Sequence, residues 1–141
     1  DYLNSLTYAQ AEKKWTEYLE NNNNVIFIHL DDTGTITSLA ASKPYKHIKK
    51  CLYLDSLHVS PEFQNKGVGK SLIIKTTEFA LENGYDSMTI SILRGNNKAE
   101  KIYQYLGAVY LNDFINYFDN TSAMSTVFIW KDLPKLITKH K

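Results

Sequence analysis

Residues 52–71 place a strand, a proline stop, two glycines and a helix in immediate succession, and few folds accommodate that order. Apolar residues alternate at Leu52 and Leu54, then again at Leu57 and Val59. The two-residue period slips by one near Asp55 and Ser56, which is the mark a β-bulge leaves in a strand. Pro61 ends the strand. Gly67 and Gly69 then let backbone N–H groups crowd around an anion, where Val68, Leu72, Ile73, Thr76, Phe79 and Ala80 begin a helix. The pattern predicts a pyrophosphate cradle beyond the carboxyl end of a strand.

Spacing separates three kinds of phosphate loop. A Walker loop needs a glycine five residues before Gly69 in Gly69-Lys70-Ser71, and Gln64 stands there. A dinucleotide fingerprint needs a third glycine where Leu72 stands, with an acidic residue at a strand end about 20 residues on, and neither is present. What remains is Gln64-x-x-Gly67-x-Gly69 after Leu57-His58-Val59, and it resembles the acetyl-coenzyme A loop of the GNAT superfamily of N-acetyltransferases. A second segment agrees: Asn96, Ala99, Tyr103, Leu106 and Gly107 fit that family's Asn-x-x-Ala-x-x-x-Tyr-x-x-Leu-Gly-Phe run.

Length and composition suit this reading. A chain of 141 residues is enough for one domain, and 43% hydrophobic with 13% aromatic residues is ample for one core. A formal net charge of +1 with dispersed lysines gives no footprint for nucleic acid. The single cysteine, Cys51, excludes an internal disulfide framework, and no segment has the apolar length of a membrane or signal helix. The expectation is a cytoplasmic protein that binds neither nucleic acid nor membrane, with a homodimer left open and no metal called for. Asn120-Thr121-Ser122 matches a glycosylation acceptor by chance frequency alone.

Taken in order, Thr7-Tyr8-Ala9-Gln10 has the form of a capping box before a helix at about residues 8–20. Residues 25–30 and 35–41 form a hairpin around Asp31-Asp32-Thr33-Gly34, and residues 43–50 are a lysine-rich loop. The helix after the cradle runs to about Glu82, where Asn83-Gly84 stops it. Met88, Ile90 and Ile92 alternate as a strand parallel to the one at residues 52–59, because a helix joins the two. Asn97 and Glu100 open a short helix whose inward face is Ala99, Ile102, Tyr103 and Leu106. Strands at residues 108–117 and 123–130 close the chain through Asp119-Asn120-Thr121-Ser122, and residues 135–141 form a frayed basic tail. This order is that of the GNAT fold: a mixed α+β domain whose mostly antiparallel sheet contains one splayed parallel pair, flanked by helices. The usual first strand and part of the first helix are missing from it, so the resemblance implies an absent N-terminal piece.

The same resemblance implies roles for residues. The pantetheine arm of acetyl-coenzyme A would run along Leu57, His58 and Val59 and meet Asn96 and Ala99. Its pyrophosphate would take N–H groups from Asn65, Lys66, Gly67, Val68 and Gly69, together with Lys70 and the Ser71 hydroxyl, in the loop that Gln64 opens. Tyr103 occupies the family's general-acid position beside the departing sulfur. Asp55 is the base candidate and stands with Tyr53 at the substrate side. Tyr53 falls where the family often has glutamate, so deprotonation through water stays open. His58 alternates away from Leu57 and Val59 and reads as a second-face residue, while Cys51 reads as a small buried residue. The implied activity is acetyl transfer to a primary amine of a small molecule or peptide. A non-catalytic acyl-coenzyme A sensor with the same fold is the alternative.

Overall fold

The computed structural model describes residues 8–118 and 121–141. Helix α1 (Tyr8–Leu19) leads into strands β1 (Val25–Leu30), β2 (Ile36–Pro44) and β3 (Cys51–Val59). A short 3-10 turn at Pro61–Phe63 precedes helix α2 (Val68–Glu82). There follow β4 (Ser87–Leu93), α3 (Asn97–Tyr105), β5 (Val109–Phe118), β6 (Thr121–Trp130) and α4 (Leu133–His140). The strands form one six-stranded sheet in the order β1-β2-β3-β4-β6-β5. Every neighbouring pair is antiparallel except β3 and β4, which α2 connects in parallel.

The core lies where α2 covers the middle of the sheet. Leu52, Leu54, Ile73, Met88, Phe128 and Trp130 are almost wholly buried there. Two threonines on the same helix, Thr76 and Thr77, are equally buried. They are accommodated because their hydroxyls donate back to the carbonyls of Leu72 at 2.8 Å and Ile73 at 2.7 Å. Trp130 keeps its indole N–H satisfied by donating to the Leu106 carbonyl at 3.1 Å. That bond anchors the end of α3 to β6. Gly84, at φ 84°, supplies the left-handed stop expected after α2.

Five local expectations give way. Residues 135–141 are not a frayed tail: α4 buries Leu133, Leu136 and His140, and Lys141 Nζ reaches Glu78 Oε2 at 2.9 Å. Their spacing of three and seven along one face builds a buried stripe, while Lys135 and Lys139 stay exposed. Strand β2 continues through Lys43 and Pro44 because both still pair with β3, at Tyr53 and Leu52. Thr121 and Ser122 belong to β6, opposite Phe118 and Tyr117, instead of to the connection between the strands. Ile102 is 45% exposed instead of facing inward, and the helix cap is Asn96, not Asn97. The capping box proposed at Thr7 falls outside the described residues.

Candidate active site

The bulge sits at Asp55. Ala41 pairs with Ser56 and Ser42 with Leu54, so Asp55 is the extra residue on β3. Parallel pairing between β3 and β4 runs from Cys51 opposite Ser87 only as far as Leu54 opposite Ile90. Beyond that point β3 stays with β2 out to Val59, whereas β4 follows β6 out to Leu93. The two strands diverge into a V. Residues 55–59 keep a strand neighbour on one edge only, and the backbone groups on their open edge are available to a ligand.

A cavity of about 430 Å³ opens from this V toward the start of α2. Leu57 and Val59 form its strand wall, Asn96, Ala99 and Tyr103 its α3 wall, and Gln64, Asn65, Gly67, Val68, Gly69 and Lys70 its floor. The floor is a built turn. Asn65 and Gly67 both adopt left-handed backbone, with φ 62° and 81°, and Gln64 Nε2 donates to the Val59 carbonyl at 3.1 Å, tying loop to strand. A Cβ on Gly67 would meet no protein atom within 4 Å, and one on Gly69 would only touch Val59 Cγ2 at 3.6 Å. The protein's own packing does not fill the space beside these glycines. A helix N-terminus with that open space, a lysine at its first turn and free N–H groups suits a pyrophosphate.

Three more residues expected at the cofactor border the first cavity without lining it. Lys66 is exposed, with its ammonium 5.6 Å from the Phe63 ring centroid. Ser71 lines a neighbouring cavity that shares Gly67, Val68 and Lys70 with the first and extends to Lys75 and His140. His58 is half-buried, and burial, followed by the nearby Lys14 charge, lowers its pKa. Asn96 serves both its own helix and the cavity. Its side-chain oxygen accepts from the Ala99 N–H at 3.3 Å and caps α3, which leaves its amide N–H groups for a ligand.

A smaller cavity of about 190 Å³ shares Leu57, Asn96, Ala99 and Tyr103 with the first and adds Asp55 and Ser91. Tyr103 therefore belongs to both. Its ring packs edge-on against Trp130 at 6.0 Å, and burial pushes its pKa up to about 12. No protein group among the described residues hydrogen-bonds its hydroxyl, which leaves that proton free for a ligand. Asp55 faces the same space with its side chain 30% exposed, and Lys43 Nζ lies 3.6 Å from Oδ2. The Tyr53 hydroxyl pairs with Ser91 Oγ at 2.7 Å. Tyr18 of α1 is near enough to feel both Asp55 and Tyr53: its buried hydroxyl has no partner among the described residues, and burial, then Asp55 and Tyr53, raise its pKa.

Sequence reasoning missed Lys43, Ser91 and Tyr18, as well as a third cavity of about 760 Å³ beyond Tyr53. Ser91 could have been found from the parallel register, as the first β4 residue past the last pair with β3. Among the described residues, no cluster of His, Cys, Asp and Glu is placed to hold a metal ion, and no described helix is long and apolar enough to cross a membrane.

Comparison with known proteins decides the family. The pattern of the Acetyltransferase (GNAT) family matches residues 2–108, which includes the cradle, the bulge and Tyr103. The chain belongs to the GNAT family. It is 30% identical over 98 residues to the uncharacterized N-acetyltransferase YuaI of Bacillus subtilis (strain 168), covering 68% of this chain and 55% of that protein. It is 37% identical over 57 residues to thialysine N-epsilon-acetyltransferase of Sus scrofa, covering 40% of this chain and 34% of that one. The chain thus spans about half or less of these relatives. The crystal structure of spermidine/spermine N-acetyltransferase SpeG from Vibrio cholerae, at 16% identity, matches the fold with a TM-score of 0.73 over 96% of this chain and 80% of that one. The six-stranded sheet with its single splayed parallel pair is thus a GNAT sheet. GNAT acetyltransferases take their acetyl group from acetyl-coenzyme A, and the open, glycine-flanked cradle fits that donor.

Proposed function

We propose that this GNAT domain moves an acetyl group from acetyl-coenzyme A directly to a primary amine of a small molecule or peptide. One observation carries the reading: Tyr103 and Asp55 line the same small cavity, and that cavity joins the cradle. The related proteins named for acting on thialysine and on spermidine support an amine as acceptor.

Bound acetyl-coenzyme A supplies an activated thioester carbonyl and a thiol leaving group. The chain does the rest. Asn65, Gly67, Val68, Gly69 and Lys70 hold the pyrophosphate with N–H groups, the α2 dipole and one cation, while Gln64 ties the loop to β3. The open edge of β3 at Leu57 and Val59 pairs with the amide-bearing arm and positions an N–H for the negative charge developing on the carbonyl oxygen, with Asn96 on the opposite wall. Lys66 and Ser71 stand next to these contacts, Ser71 lining a cavity with Gly67, Val68 and Lys70, and His58 lies between Leu57 and Val59 on β3. A typical amine with pKa near 10 is mostly protonated at neutral pH, so it must lose a proton before attack. Asp55, directly or through a water, accepts that proton. Tyr103 donates its hydroxyl proton to the departing sulfur, and its raised pKa keeps that proton in place across the working range.

Free-thiol release from acetyl-coenzyme A, screened across polyamines, amino acids, amino sugars and peptide N-termini, tests the reading. Amine-dependent release supports it. Tight coenzyme binding with no release for any amine would replace it with a non-catalytic acyl-coenzyme A sensor.

A further inference from the structure

The cavity of about 760 Å³ beyond Tyr53 lies between the turn that follows β2 and the face of β5. It is the next space out from the reacting centre. Tyr53 forms part of its wall, and the Tyr53 hydroxyl bonds Ser91, which lines the Asp55 cavity. Lys43 also lines it while reaching Asp55 at 3.6 Å. An acceptor whose amine stands at Asp55 would extend its remaining atoms into this space.

The charges around that space do not balance. Its one acid is Asp113, and that carboxylate is already occupied. Arg94 Nη2 donates to it at 2.8 Å, Thr126 Oγ1 at 2.7 Å and the Tyr110 hydroxyl at 3.2 Å. Those bonds, led by Thr126, hold its pKa below the usual carboxylate value. The Lys43 charge is set against Asp55. Lys46 is left, beside His47, with no acidic partner among the described residues. Tyr45, tilted against Tyr53 at 5.5 Å and edge-on to His47 at 5.2 Å, gives this end an aromatic floor.

We propose that the acceptor is an amine carrying an anionic group, such as a carboxylate, a few bonds from its reacting nitrogen. Lys46, with His47 beside it, receives the anion. A polycation would instead bring a second positive charge toward Lys46 with no open carboxylate to meet it, so the site selects against polyamines. This inference rests on the acetyltransferase reading for the position of the reacting amine, but its test does not depend on turnover.

Calorimetric titration of the full chain, saturated with coenzyme A, compares 6-aminohexanoate with 1,6-diaminohexane, two chains that differ in the sign of one end. The carboxylate compound is expected to bind about fivefold tighter or more, the size of one screened ion pair. Lys46→Glu, a change on an exposed turn, is expected to erase or reverse that preference. Equal or tighter binding of the diamine, no binding of either compound, or a preference that survives Lys46→Glu would overturn the proposal. Carboxylate-selective binding together with no thiol release from acetyl-coenzyme A would sink the enzyme reading while upholding this one.

Discussion

The Tyr53 hydroxyl meets Ser91 Oγ at 2.7 Å one step beyond the point where β3 and β4 stop exchanging backbone hydrogen bonds. Side chains thus fasten the V where the backbone releases it. Tyr53→Phe and Ser91→Ala should each cost about 1 kcal/mol of stability, the net worth of one hydrogen bond. Their effects should not add, because either change removes the same bond. Urea unfolding of the two single variants and the double variant checks this, and simple addition of the two losses would show that the pair is not a unit.

The cradle makes a second expectation. Gly67→Val should abolish coenzyme A binding by calorimetry while the far-ultraviolet spectrum stays native. The left-handed backbone at φ 81° resists a β-branched residue by about 1–2 kcal/mol, which the fold can absorb. The added atoms would enter space that no protein atom fills. Unchanged affinity would reject the phosphate site.

Cys51 bears on whether transfer is direct. It is 1% exposed, with Sγ 3.8 Å from Thr89 Oγ1, and burial raises its thiol pKa, so the nucleophilic thiolate is scarce at neutral pH. Cys51→Ala should leave kcat unchanged and lower stability by about 1 kcal/mol. Mass-spectrometric trapping of an acetyl group on this sulfur would contradict direct transfer.

Helix α4 is expected to be part of the core. Leu136→Ala should destabilise the domain by about 2–5 kcal/mol in chemical denaturation, because Leu136 is 3% exposed against α2. Lys141→Ala should change stability by less than about 1 kcal/mol, since its pair with Glu78 faces solvent. Equal effects would mean that the helix is held by charge and not by burial.

These contrasts mark where sequence was enough. The slip between Leu54 and Leu57 located the bulge because a two-residue period leaves no other account of the pattern. Asn83-Gly84 located the end of α2 because few residues tolerate its backbone. Helix α4 was hidden by weight of lysine, although Leu133, Leu136 and His140 already traced its buried face. Ile102 shows the reverse failure, since an apolar residue on a short helix can as readily line a binding cavity as a core. Lys43, Tyr53 and Ser91 meet only through the strand register, and the last two are 38 residues apart in the chain. No local pattern encodes that meeting.

The pH dependence of kcat for the wild-type chain, Tyr103→Phe and Asp55→Asn tests the central claim most directly. With its pKa pushed up to about 12, Tyr103 stays protonated below that pH, so its ionisation should cause no alkaline fall in rate through about pH 10. Tyr103→Phe keeps the ring against Trp130 and should lose about 100-fold in kcat or more at every pH, with coenzyme A affinity unchanged. Asp55→Asn should lose activity at neutral pH and regain it as pH rises toward the amine's own pKa, where the acceptor is already neutral. Near-normal kcat for both variants across the whole range would contradict the account and move both protons onto water.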